Sequence, residues 1–112
     1  MLTNEEMEQI ANRYIVKLGE FSGIEMVLSD ELAGKPYGNV YIFQSKEYIM
    51  TGNVGKSIAN SHPFMVEKET GRVINFGTMF SLENYLIAYE NDNLSEVSDR
   101  YWYPDEDRFD SK

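Results

Sequence analysis

The stretch from Pro63 to Tyr89 constrains this chain most, because it sets a β-hairpin and a helix in direct succession. Phe64 to Glu67 and Arg72 to Phe76 are rich in β-forming residues. Between them Lys68-Glu69-Thr70-Gly71 puts glycine where a type I turn ends in a left-handed residue. Ser81 is placed to cap a helix, with Glu83 in its positive first turn and Phe80 able to staple onto Tyr85. Leu82, Tyr85, Leu86 and Tyr89 then fall on one helical face. None of these residues makes a catalytic set, so this stretch predicts a small α+β domain and assigns no activity.

Upstream, Thr3 and Glu6 fit a capping box. Met7, Ile10, Ala11, Tyr14, Leu18 and Phe21 follow at three- and four-residue steps, the apolar stripe of an amphipathic helix that Gly19 or Gly23 can end. Ile24, Met26 and Leu28 alternate with Glu25, Val27 and Ser29 as in a half-buried strand. Asp30 to Gly38, with Gly34, Pro36 and Gly38, reads as a connecting loop. Val40 to Phe43 is apolar on both faces and predicts a central strand, which Tyr48, Ile49 and Met50 extend. Tyr41 and Phe43 share one of its faces. They either lie under a covering element or form a binding patch.

A chain of 112 residues holds one modest core. It has no apolar run long enough for a membrane span, and its acidic start lacks the features of a signal peptide. Cysteine is absent, which removes disulfides and thiolate metal sites and fits a reducing cytoplasm. The net charge is −9, and it is unevenly spread. Residues 1–89 hold 11 acids and 7 bases, whereas residues 90–112 hold 8 acids and 3 bases. That balance argues against nucleic acid, whose phosphates require a basic surface, and favours either solubility, with a solvated acidic tail, or a basic partner.

Several local patterns invite chemistry and do not sustain it. Gly55-Lys56-Ser57 lacks the earlier glycine of a phosphate-binding loop, because position 50 is Met. His62, the sole histidine, has no spacing that supplies a nucleophile or a second ligand. Glu67 and Glu69 share a face of the hairpin and could pair for acid–base work, although charges at a hairpin edge more commonly keep it soluble. Asn91-Asp92-Asn93 begins like a calcium loop but lacks its glycine and distal glutamate. The tail joins Tyr101, Trp102 and Tyr103 to Asp105, Glu106 and Asp107. These aromatics dock on the protein's own sheet or anchor a partner, and the two roles are compatible.

The run Pro63 to Val73, then Gly77-Thr78 and Leu82-Glu83-Asn84-Tyr85-Leu86, resembles the immunity protein 35 family. The aromatic strand Val40 to Tyr48 is similar to that family's own, and the likeness covers roughly residues 5 to 90. The resemblance implies a small bacterial antidote encoded beside a polymorphic toxin, in a superfamily that also holds a small heat-shock-associated chaperone. The expectation is therefore an α+β fold, with a mainly antiparallel sheet of about four strands. An N-terminal helix packs on that sheet, and a second helix follows the last hairpin. Residues 1–90 form the domain and residues 91–112 an acidic, aromatic extension. The expected function is non-catalytic binding of a cognate toxin in the cytoplasm, without cofactor, metal, nucleic acid or membrane. The alternative is a chaperone-like or house-keeping binding domain. Tyr41, Phe43, Tyr101, Trp102, Tyr103, Asp105, Glu106 and Asp107 are the candidate contact residues.

Overall fold

A computed structural model describes residues 1–53, 55, 63–77 and 79–111, with residues 29–33 described by backbone alone. His62 and most of the segment around Lys56 lie outside the described residues. The order is α1 (Asn4–Ser22), β1 (Met26–Lys35), β2 (Gly38–Ser45), α2 (Lys46–Thr51), β3 (Phe64–Glu67), β4 (Val73–Asn75), α3 (Leu82–Glu90), β5 (Tyr101–Tyr103) and β6 (Arg108–Asp110). The strands form one antiparallel sheet in chain order, β1 to β6. The fold is α+β, as expected, and the sheet has six strands because the tail adds two. Trp102 of β5 lies opposite Val73 of β4, so residues beyond 90 continue the same sheet.

The helix ends follow their local chemistry. Thr3 Oγ1 accepts from the Glu6 amide at 3.1 Å, and Glu6 Oε1 accepts from the Thr3 amide at 2.9 Å. Gly23 closes α1 at φ 74°, donating to the Gly19 carbonyl. Ser81 caps α3 through the Asn84 amide, and Phe80 meets Tyr85 edge-on at 5.7 Å. In the β3–β4 turn Gly71 has φ 75°, the left-handed conformation that glycine adopts without strain. A Cβ on Gly38 would stand 2.4 Å from the Val66 carbonyl oxygen, so β2 and β3 close up only over glycine.

Two segments depart from expectation. Residues 30–35 are not loop: β1 pairs with β2 out to Lys35, and only Pro36-Tyr37 connects them. Register shifts between Leu28 and Asp30 and between Glu31 and Ala33 break the alternation that announces a strand. Tyr48 to Met50 do not extend β2. They form α2, because Ser45 Oγ accepts from the Tyr48 amide and Gly52 at φ 71° ends the turn.

Each sheet face has its own core. Under α1 lie Met7, Ala11, Tyr14 and Ile15 with Tyr41, Phe43, Phe64, Val66, Val73 and Trp102. Tyr14 meets Phe64 at 4.8 Å and Trp102 at 5.8 Å between ring centroids. Under α3 lie Val40, Met65, Ile74, Phe76, Tyr85 and Leu86. Phe21, placed on the α1 stripe by its spacing, is 70% exposed and meets Phe109 and the Lys17 ammonium rather than the core.

A tyrosine–arginine face left open by the short helix

Side chains alternate along a strand, so the residues on the α3 side follow from Met65, Ile74 and Tyr101. Glu67, Arg72 and Tyr103 are two positions away on their strands and share that side. Helix α3 spans nine residues and covers Val40, Met65 and Ile74. It leaves Arg72 and Tyr103 at the strand ends only partly covered, while Glu67 beside them is buried.

Glu67 organises this end. Its carboxylate receives Arg72 Nε at 2.8 Å, Arg72 Nη2 at 3.0 Å, Thr70 Oγ1 at 2.8 Å and Tyr89 Oη at 2.5 Å. Burial pushes its pKa up, but the hydrogen bonds from Arg72, Tyr89 and Thr70 outweigh burial and hold it below the ordinary glutamate value. Burial and the bond to Glu67 raise the Tyr89 hydroxyl, which stays protonated and donating. Arg72 also lies over the Tyr101 ring at 4.2 Å. Next along, Arg108 covers the Tyr103 ring at 4.5 Å and pairs with Glu106 at 2.9 Å and Asp110 at 2.6 Å. Arginine and tyrosine thus alternate across β4, β5 and β6.

At the edge of this face the β1–β2 turn meets the C-terminal end of α3. The Tyr37 and Tyr89 rings pack 5.0 Å apart, and Tyr37 Oη donates to Glu90 Oε2 at 2.6 Å. Together with Arg72, Asp92, Leu94 and Tyr101 they enclose a cleft of about 400 Å³. Its lining is aromatic and ionic, the composition of interface hot spots. Glu67 and Glu69 are not an acid–base pair: Glu67 is committed to Arg72, Tyr89 and Thr70. No cluster of three His, Asp or Glu side chains able to hold a metal occurs among the described residues. No helix among them is long and apolar enough to cross a membrane.

The candidate contact residues divide by face. Tyr101 and Tyr103 are half-buried on the open side. Trp102 points the other way and is 3% exposed, with Nε1 donating to Asp107 Oδ1 at 3.0 Å and Arg13 over its ring. Tyr41 and Phe43 are each 4% exposed under α1. These three aromatics are core residues, not a presented patch. Alternation sends them to the α1 side, where that helix covers them. Asp107 is engaged by Lys17 at 2.7 Å as well as by Trp102, while Asp105 and Glu106 are exposed at the β5–β6 turn. Sequence reasoning missed Tyr37, Arg72, Tyr89 and Glu90. Tyr89 was legible only as a helix-face residue, and Tyr37 sat in an apparent loop, so only the folded chain brings them together.

The chain is similar to an uncharacterized protein, YrhB, of Escherichia coli (strain K12), with 34% identity over 53 residues. That match takes in 47% of this chain and 56% of that protein, so it spans about half the length of each. No protein-family model matches the chain, and no solved structure matches it.

Proposed function

We propose that the protein is a non-catalytic antidote, which binds a cognate bacterial toxin in the cytoplasm and blocks it by occupying its surface. The observation that carries this reading is the open tyrosine–arginine face with its cleft. Tyrosine and arginine supply most of the energy at protein interfaces, and here they are held rigidly by strands and by the Glu67 network. A net charge of −9 suits a basic partner, because complementary fields accelerate encounter. Among the described residues, the buried polar side-chain groups serve internal bonds, with Asn75 Oδ1 the exception. Arg100, for instance, donates to the Asn75 and Phe76 carbonyls at 2.6 and 3.0 Å. The likeness of the Pro63 to Leu86 stretch to the immunity protein 35 family supports a toxin as the partner class.

Co-expression with the toxin encoded beside it tests the proposal. Growth should be rescued, the two proteins should co-purify, and protection should need at least one antidote per toxin. Protection at far below that ratio would identify an enzyme and overturn the binding reading. A chaperone-like role is the second reading, favoured by the exposed apolar side chains of Ile49, Met50, Met79 and Phe80. That role predicts suppression of aggregation of unrelated unfolding proteins, which a dedicated antidote does not show.

A further inference from the structure

Helix α3 ends against its own dipole. The C-terminal end of a helix carries partial negative charge and favours cations, yet the last turn of α3 has no basic residue. The chain instead places Glu90 there and Asp92 just beyond, at φ 56°. Both carboxylates line the 400 Å³ cleft, whose remaining walls include the rings of Tyr37, Tyr89 and Tyr101. Glu67 already neutralises Arg72, the cation at the cleft wall. The cleft therefore keeps an excess of negative charge, from two carboxylates and a helix end, beside aromatic rings. That combination attracts a cation and holds it by both charge and ring faces. Acids at a helix C-terminus run against local preference, and departures of that kind concentrate at functional sites.

The chain shows on itself which cation such walls accept. Arg72 lies between the Tyr101 ring at 4.2 Å and the Glu67 carboxylate at 2.8 Å. Arg108 repeats the arrangement with Tyr103, Glu106 and Asp110. In both, a planar guanidinium stacks on a tyrosine and turns its edge to a carboxylate, a geometry that lysine's compact ammonium does not reproduce. We infer that the cleft between Tyr37, Tyr89, Tyr101, Glu90 and Asp92 is a receptor for a guanidinium group, carried as an arginine side chain by the basic protein partner. Glu90 takes the edge of the guanidinium, with Tyr37 Oη holding its carboxylate in place at 2.6 Å. The Tyr37 and Tyr89 rings take its face, since Arg72 already lies over Tyr101, and Asp92 adds charge at the rim.

The choice of a protein as the source of the guanidinium rests on the antidote reading, but the receptor is tested without any toxin. The probe is a capped Gly-Arg-Gly tripeptide, titrated into the intact protein while the tyrosine ring resonances are followed by NMR. An otherwise identical tripeptide with citrulline, the neutral isostere of arginine, is the control. Saturable shifts confined to Tyr37, Tyr89 and Tyr101 are expected with arginine and not with citrulline. Glu90→Gln, on an exposed helix end, should weaken arginine binding about fivefold, the effect of losing one partly exposed ion pair. Its melting temperature should be unchanged. Equal binding of citrulline, unchanged affinity in Glu90→Gln, or absence of saturable shifts would each overturn the receptor while leaving toxin neutralisation a separate question. Retention of the receptor with failure of toxin rescue would overturn the antidote reading alone.

Discussion

Glu67 shows how one residue converts turn chemistry into a rigid surface. Its carboxylate collects an arginine fork and two hydroxyls, and it thereby ties the β3–β4 hairpin to α3. A carboxyl whose folded pKa is depressed adds stability above its unfolded value, about 4.3, and loses it as pH falls through the folded value. The wild-type melting temperature should therefore drop as pH falls from 5 to 3. Glu67→Gln should cost on the order of 2 kcal/mol at pH 7, by leaving Arg72 poorly paired. It should also flatten the acid-side loss, and parallel melting curves for the two proteins from pH 7 to 3 would remove this role. Gly71 sets the same hairpin from the turn. Its φ of 75° strains a β-branched side chain by on the order of 1–2 kcal/mol. A Cβ there would also stand 3.0 Å from Ile10 Cδ1. Gly71→Val should melt well below Gly71→Asn, and equal melting temperatures would contradict the strain.

At the scale of elements, what was legible in the sequence was whatever announces itself locally. The Thr3 and Ser81 caps, the Lys68 to Gly71 turn and the Leu82 to Tyr89 face need only a few neighbouring residues, and all of them form as their chemistry dictates. What was not legible depended on pairing with distant chain. Strand β1 hides its length because Ser29 and Leu32 are the extra residues of two bulges, each of which flips the alternation. The Tyr48-Ile49-Met50 run has strand propensity, and the Ser45 cap overrides it. The tail is the clearest case. Tyr101-Trp102-Tyr103 is a three-residue strand whose alternation sends Trp102 into the α1 core and its neighbours to the open face. Only the existence of β4 as an unfilled edge decides that it pairs. Trp102→Ala should then cost about 3–5 kcal/mol, the usual loss for a buried large aromatic. Having no access to a partner, Trp102 should leave binding kinetics unchanged in any variant that stays folded. A melting temperature unaffected by Trp102→Ala would contradict the docked tail.

Across the whole molecule, the two sheet faces are treated unequally. The long α1 seals one face under a continuous aromatic and aliphatic core, whereas the short α3 seals only part of the other. The uncovered part carries Tyr101, Tyr103, Arg72 and the Tyr37–Tyr89 cleft, with Glu90, Asp92, Glu106 and Asp110 beside it. In the proposed complex, exposed charges there would act at range, be screened by salt and set the encounter rate, while the stacked rings would set its lifetime. Neutralising Asp105 and Glu106, which are exposed at the β5–β6 turn, should slow association with the proposed toxin partner and weaken its salt dependence. It should leave dissociation nearly unchanged. The kinetics of the purified complex with Tyr101→Ala and Tyr103→Ala, each checked by melting to remain folded, test the claim that the tyrosine–arginine face binds the toxin most directly. The face predicts dissociation faster by about tenfold or more in at least one of the two, with association little changed. Dissociation at the wild-type rate in both variants would contradict it.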